Sequence, residues 1–95
     1  MLDIAARFGD NLKRVRAAAD MSQDDVAIKA SVHRTEISQL ERGLRIPRID
    51  TVIKLAASLE VSPEELLRGI VWEPGETYYG RFQSSETAAI HQKGL

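Results

Sequence analysis

Apolar residues in this sequence recur at helical intervals, but only over short stretches that end in breaks, and this pattern constrains the fold more than any other feature. Intervals of four, three and four residues in the first stretch match one buried face of a helix and predict a helix over about residues 2–19. Four shorter stretches follow in a chain of single-domain length. The pattern therefore predicts an all-α fold, a compact bundle of about five short helices. The first stripe consists of Phe8, Leu12, Val15 and Ala19.

The second and third helices are marked by residues that favour helix ends. Ser22, followed three residues later by Asp25, predicts a capping box in which hydroxyl and carboxylate each bond a backbone amide. The helix that it starts is expected to end near Ala30. A third helix is expected over about residues 33–42, and Gly43 ends it because glycine adopts the left-handed conformation without steric cost.

The fourth and fifth helices also have local signals. The fourth is expected to begin near residues 49–50. Ser62, Pro63 and Glu65 then place a cap hydroxyl, a proline at the first helical position and a carboxylate at the capping-box position. This is the strongest local signal in the sequence, and it predicts a short fifth helix that stops at Gly69.

The remaining residues have a different composition. Pro74-Gly75 is a turn signal, so a hairpin or an extended strap over the bundle is expected there. Residues 84–93 are compatible with a last short helix. We therefore divide the chain into a bundle domain over residues 1–70 and a C-terminal extension over residues 71–95. The extension contains the aromatic residues Trp72, Tyr78, Tyr79 and Phe82.

Composition argues against several classes of protein. There are no cysteines, and His33 and His91 lie far apart, so neither a metal site nor another cofactor is expected. We find no nucleophile beside a base and no glycine-rich phosphate loop, so an enzyme is not expected; Glu64-Glu65 is better explained by helix capping. No apolar stretch reaches the roughly 18 residues that span a bilayer, and no signal peptide is recognised. A cytoplasmic protein with no membrane partner is expected.

Charge is distributed unevenly along the chain. The formal net charge is only -1. Residues 29–48 nevertheless carry five cations against two carboxylates, whereas residues 60–76 carry one cation against five. A basic face attracts phosphate, although composition alone leaves ordinary solvated charge as an equal alternative.

The segment from Gln23 to Pro47 has many residues of a known motif at fixed spacing. It resembles the helix-turn-helix of the phage repressor and Cro family, also called the xenobiotic-response-element family, and the resemblance covers roughly residues 8–69. Residues 55–59 and 61–67 are similar to the fourth and fifth helices of that family. The matching residues are Met21, Ser22, Gln23, Ala27, Val32, Ile37, Ser38, Leu40, Glu41, Arg42, Gly43 and Pro47.

The resemblance implies a lambda-repressor-like fold and a sequence-specific regulator of transcription, with repression as the expected direction. The spacing also has a physical reason. A small residue at Ala27 lets the second and third helices approach closely, and the aliphatic side of the third helix then faces inward. Polar residues that are able to pair with bases in the major groove face outward. They are His33, Arg34, Thr35, Ser38 and Gln39.

Roles follow from the resemblance, position by position. Base contacts are assigned to Arg34, Thr35 and Gln39, with Ser38 and His33 as further candidates. Phosphate contacts are assigned to Gln23, Arg42, Arg45 and Arg48. Arg16 and Glu41 match a partly buried ion pair that joins the first helix to the third, so their role is expected to be structural.

Two positions depart from the family pattern. Ser31 stands where glycine is frequent, and a left-handed serine costs on the order of 1 kcal/mol. His33 stands where a serine or threonine cap is frequent. It is either an additional DNA contact or a poorer cap, and the sequence favours neither alternative.

Partners also follow from the resemblance. Double-stranded DNA is the expected ligand, and a homodimer is expected because family members usually bind two half-sites. The aromatic extension could form the dimer interface or cover its own bundle. An antitoxin that also binds a toxin protein through the extension is the alternative function, and a controller of a restriction system is a narrower form of the regulator.

Overall fold

The computed structural model describes residues 2–76 and 79–85 and shows five helices followed by a two-stranded antiparallel sheet. The predicted helical bundle is confirmed, and the hairpin is the form that the extension takes where it is described. The division of the chain at residue 70 stays a prediction, although the first strand begins there. The elements are α1 (Ile4–Ala18), α2 (Gln23–Ala30), α3 (Arg34–Glu41), α4 (Ile49–Ser58), α5 (Pro63–Leu66), β1 (Ile70–Glu73) and β2 (Arg81–Ser84).

The capping box of α2 is confirmed. Ser22 Oγ accepts the N–H of Asp25 at 3.0 Å, and Asp25 Oδ2 accepts the N–H of Ser22 at 2.9 Å. The hydrogen bond from the Ser22 N–H lowers the pKa of Asp25. Both groups remain exposed, so the box defines where the helix begins without using space in the core.

The expected side-chain cap at Ser62 was wrong. Pro63 does occupy the first turn of α5, but the Ser62 side chain makes no capping hydrogen bond. Its hydroxyl donates instead to Glu64 Oε1 at 3.2 Å, because a carboxylate two residues away is a strong, charged acceptor. The N–H of Glu65, which a side-chain cap would bind, donates to the backbone oxygen of Ser62 at 3.0 Å.

Residues in the left-handed region separate the helices. Ser31 has φ +56° and Gly43 has φ +70°, as predicted at both positions. Asp20, at φ +55°, was not predicted to be left-handed, and α1 already ends at Ala18. Ala19 was expected in the buried stripe but is exposed, because the chain turns away from the bundle there.

The core lies between α1, α2, α3, α4 and α5. Helix α1 packs against α3 and α5, while α2 packs against α3 and α4. Most core residues belong to the apolar stripes that the sequence analysis recognised. Of the two leucines at the end of α5, only Leu66 is buried. The core residues are Phe8, Leu12, Val15, Val26, Ala27, Ala30, Ile37, Leu40, Val52, Leu55, Ala56, Leu59 and Leu66.

A buried amide joins the first and last helices. Asn11 Nδ2 donates to the backbone oxygens of Leu66 and Arg68, each at 2.9 Å. These are carbonyl groups at the end of α5, where helical partners run out. The Asn11 side chain on α1 therefore supplies hydrogen bonds to carbonyl groups at the end of α5, a role that the sequence analysis did not predict.

The hairpin closes against the start and end of the bundle. In its register Val71 pairs with Gln83 and Trp72 with Phe82. The ring centroids of Trp72 and Phe82 lie 5.0 Å apart in an edge-to-face arrangement. The N–H of Ser85 donates to Gly69 O at 3.1 Å. Tyr78 and most of the helix expected over residues 84–93 lie outside the described residues.

Helices α1 and α3 meet at Gly9. A Cβ at this position would lie 2.8 Å from the backbone oxygen of Glu41, and closer still to that of Leu40. Neither oxygen can move without a shift of α3. The close approach of the two helices therefore requires glycine here, which the sequence analysis missed.

We expect Gly9→Ala to lower the free energy of unfolding by about 2 kcal/mol, because the new methyl group overpacks the contact between α1 and α3. In an unhindered helix the same change stabilises by about 1 kcal/mol, so the direction of the effect is diagnostic. Thermal and urea denaturation followed by circular dichroism measure it. An increase in Tm would contradict the proposed close contact.

Candidate nucleic-acid interface

The crossing of α2 and α3 is formed by small and aliphatic residues. Ala27 is buried, and its backbone oxygen accepts the N–H of Val32 at 3.0 Å. Ile37 and Leu40 are completely buried on the inner side of α3. Because the inner side is held in this way, the opposite side of α3 faces solvent.

The outer side of α3 carries the residues that were predicted to contact bases. His33, Arg34 and Thr35 are exposed at its start, while Ser38 and Gln39 are partly exposed one turn later. The structure therefore brings the five candidates together on one short helix. Hydrogen-bonding side chains at such positions suit the base edges of the major groove.

Arg34 is paired within the chain. Its Nε lies 3.4 Å from Asp24 Oδ1, at the start of α2, and the two side chains are 64% and 68% exposed. An ion pair this exposed contributes little to stability, at most about 1 kcal/mol. It orients Arg34 across the start of both helices while leaving the guanidinium group accessible.

The cations after α3 are also oriented by neighbours. Arg45 Nη1 donates to Gln39 Oε1 at 3.0 Å, and Arg42 Nε donates to the backbone oxygen of Ser38 at 3.3 Å. Arg48 Nε lies 3.3 Å from the carboxylate of Asp50. The three arginines are exposed and follow α3 directly, so the positive charge lies beside the polar face.

Arg16 and Glu41 form a two-point ion pair between α1 and α3. Arg16 Nε donates to Glu41 Oε2 at 2.6 Å, and Nη2 donates to Oε1 at 3.0 Å. Arg16 Nη1 also donates to the backbone oxygen of Met21, at 2.9 Å. The Glu41 side chain is only 2% exposed, so its charge depends on these partners.

Gln23 completes this network. Its Nε2 donates to Glu41 Oε1 at 3.1 Å, which links the first residue of α2 to the last residue of α3. The sequence analysis assigned Gln23 only to phosphate and missed this contact, because residues 18 positions apart leave no local signal of their contact. Its phosphate contact stays a prediction, since one side-chain N–H is already used.

Two opposing effects act on the pKa of Glu41. Desolvation by burial raises it, but the hydrogen bonds from Arg16 and Gln23, together with the positive charge of Arg16, outweigh that effect. The net result is a lowered pKa. The hydrogen bond with Glu41 also raises the pKa of Arg16.

The start of α3 has no side-chain cap. His33 occupies the N-cap position with an extended backbone, but its imidazole makes no capping hydrogen bond. The interpretation of His33 as a poor cap therefore matches the geometry. Its exposed position also leaves a DNA contact available, so that prediction stays open.

A family model described as "Helix-turn-helix" matches residues 12–66, more than half of the chain. This chain belongs to that helix-turn-helix family. The match includes the crossing of α2 and α3, the polar face of α3 and both residues of the ion pair between Arg16 and Glu41.

Similar proteins carry regulatory names. The control protein C.BamHI from Bacillus amyloliquefaciens is 36% identical over 66 residues, which cover 68% of this chain and 82% of that protein. An uncharacterised HTH-type transcriptional regulator of Mycobacterium tuberculosis, MT0491, is 37% identical over 70 residues, covering 73% of this chain and 50% of that regulator.

A solved structure has the same fold. The restriction-modification controller protein C.AhdI from Aeromonas hydrophila superposes with a TM-score of 0.64 at 32% identity. The overlap covers 65% of this chain and 94% of that protein. In the part of this chain that the structure describes, we find no helix able to cross a membrane and no cluster of side chains suited to a metal ion.

We expect Glu41→Ala to lower the free energy of unfolding by about 3 kcal/mol, because it leaves the Arg16 guanidinium group without its carboxylate. DNA affinity should fall together with Tm. Glu36→Ala, on the same helix, is the control and should change stability by less than about 1 kcal/mol. An unchanged Tm for Glu41→Ala would show that the ion pair does not hold α3.

The lowered pKa of Glu41 also predicts a pH dependence. Because the folded-state pKa lies below the unfolded value of about 4.3, the pair stabilises fully above that pH and loses this contribution as the pH falls through the folded pKa. The Tm difference between wild type and Glu41→Gln should therefore be constant from about pH 6 to 8 and shrink below about pH 4. Melting curves across this range measure it, and a difference that persists undiminished at about pH 2 would contradict the assignment.

Proposed function

We propose that this chain is a sequence-specific DNA-binding regulator of transcription that contacts bases in the major groove with α3. The observation that supports this most is the two-sided character of α3. Ile37 and Leu40 are completely buried on one side, while Arg34 and Gln39 lie on the other beside a row of cations. An α-helix of this kind fits the major groove of B-DNA.

The base contacts are assigned by chemistry and position. Arg34 suits the paired acceptors of guanine, and the amide of Gln39 suits the donor and acceptor of adenine. Thr35 and Ser38, which have shorter side chains, and His33, which precedes the first residue of α3, are further candidates for hydrogen bonds to bases. Binding exchanges the Asp24 partner of Arg34 for a base, and the exposed Asp24 pair is weak enough to be released.

The phosphate contacts are assigned to Arg42, Arg45, Arg48 and Gln23. These residues border the face of α3 and the start of α2, where exposed helix amides also favour phosphate. Arg45 has a double role in this proposal, because it also orients the Gln39 amide. Its removal should therefore affect both general affinity and the base preference at the position that Gln39 contacts.

A narrower proposal is that the regulated genes belong to a restriction-modification system. Its support is the similarity to C.AhdI, which is described as a restriction-modification controller protein, and to C.BamHI, which is named a control protein. Repression stays the expected direction, which a promoter-reporter assay measures. The relatives described above carry no antitoxin names, and nothing in the hairpin supports a toxin-binding role for the C-terminal extension.

Selection of bound sequences from a random duplex library tests the main proposal. We expect Arg34→Ala to relax the preferred sequence at one position and to cost about 1 to 3 kcal/mol on the preferred site. A base-specific contact is lost while the backbone contacts remain. An unchanged sequence preference in Arg34→Ala would remove α3 from the role of reading bases.

We expect Arg48→Ala to weaken binding to all sequences alike and to reduce the slope of log affinity against log salt by about 1, because one phosphate contact releases about one counterion. Lys54→Ala, which removes an exposed cation from α4, is the matched control. Fluorescence anisotropy at several salt concentrations measures both variants. An equal loss in the two would indicate general charge attraction without a defined phosphate contact.

A further inference from the structure

Asp24 lies beside the face of α3 that we assign to DNA, but it has the wrong charge for a DNA contact. It occupies the first turn of α2, next to Gln23, which we assign to phosphate. Its side chain is 68% exposed, and Oδ1 lies 3.4 Å from Nε of Arg34, the first residue of α3. A carboxylate in this position repels the phosphates of an approaching duplex. It therefore weakens the binding that the surrounding residues favour.

The structural roles at the start of α2 belong to other residues. Ser22 and Asp25 form the capping box, in which each side chain accepts the backbone N–H of the other residue. The buried carboxylate that links the helices is Glu41. The partner that the structure gives Asp24 is Arg34. Because an ion pair this exposed adds little to stability, its main effect falls on the availability of Arg34.

We propose that Asp24 is an affinity-limiting residue, which competes with DNA for the guanidinium group of Arg34. This inference rests on the proposed DNA-binding function, in which Arg34 contacts the paired acceptors of a guanine. The chain must break the pair with Asp24 before that contact forms. A duplex without the matching base leaves Arg34 on Asp24 and incurs no such cost. Asp24 therefore lowers the affinity for the preferred site more than the affinity for other sequences.

Two effects of Asp24 on binding can be distinguished. Repulsion between its charge and the phosphates acts on every duplex alike. Competition acts only where Arg34 has a base to contact, and it requires Arg34 to be present. From the strength of exposed ion pairs, competition lowers the affinity for the preferred site by a factor of at most about five. The two effects therefore respond differently to a change of duplex and to the removal of Arg34.

Fluorescence anisotropy of the full chain with two duplexes tests the inference. One duplex carries the sequence preferred in the library selection, and the other carries the same bases in shuffled order. We expect Asp24→Asn to raise the affinity for the preferred duplex about two- to fivefold more than the affinity for the shuffled duplex. Asparagine has nearly the same shape as aspartate, so circular dichroism should show the helices retained. An equal gain on the two duplexes, or no gain, would overturn the inference.

The same substitution in an Arg34→Ala background isolates the competition. There the gain from Asp24→Asn should be equal on the two duplexes, because no guanidinium group is left to release. A gain that still favours the preferred duplex would show that Asp24 does not act through Arg34, which contradicts the inference.

Glu36→Gln is the matched control for the loss of one charge. Glu36 is exposed in the first turn of α3 and forms no ion pair within residues 2–76 and 79–85. Its substitution should change the affinities for the two duplexes by the same factor. A selective gain as large as that of Asp24→Asn would assign the effect to general charge and overturn the inference.

The outcomes separate this inference from the proposed function. If Arg34→Ala relaxes the sequence preference but Asp24→Asn gives no selective gain, the function stands and the inference fails. If the selection yields no preferred sequence, the function fails and the inference fails with it.

Discussion

The buried carboxylate of Glu41 is the group on which the arrangement of the helices depends. A charge that is almost completely removed from water is stable only when it is paired and hydrogen-bonded, and here the partners come from two other segments. Arg16 links Glu41 to α1 and Gln23 links it to α2. Gly9, in turn, lets α1 and α3 approach each other closely. The position of α3 follows from these contacts.

The outer face of α3 is ordered by weaker contacts. Asp24 holds Arg34 and Arg45 holds Gln39, so the proposed base-contacting groups have defined positions before DNA arrives. Both interactions are exposed, so replacing them with contacts to DNA costs little free energy. The molecule combines a strong internal network that positions the helix with weak external contacts that can be exchanged.

The sequence alone determined the helical bundle, the capping box at Ser22, the left-handed turn at Ser31 and the polar face of α3, because each depends on spacing or on residues a few positions apart. Tertiary structure decided the rest. It placed Gln23 on Glu41 and Asn11 at the end of α5, required glycine at position 9, and left the Ser62 hydroxyl on Glu64. These features depend on which segments meet in space, and a local sequence pattern contains no information about such distant contacts.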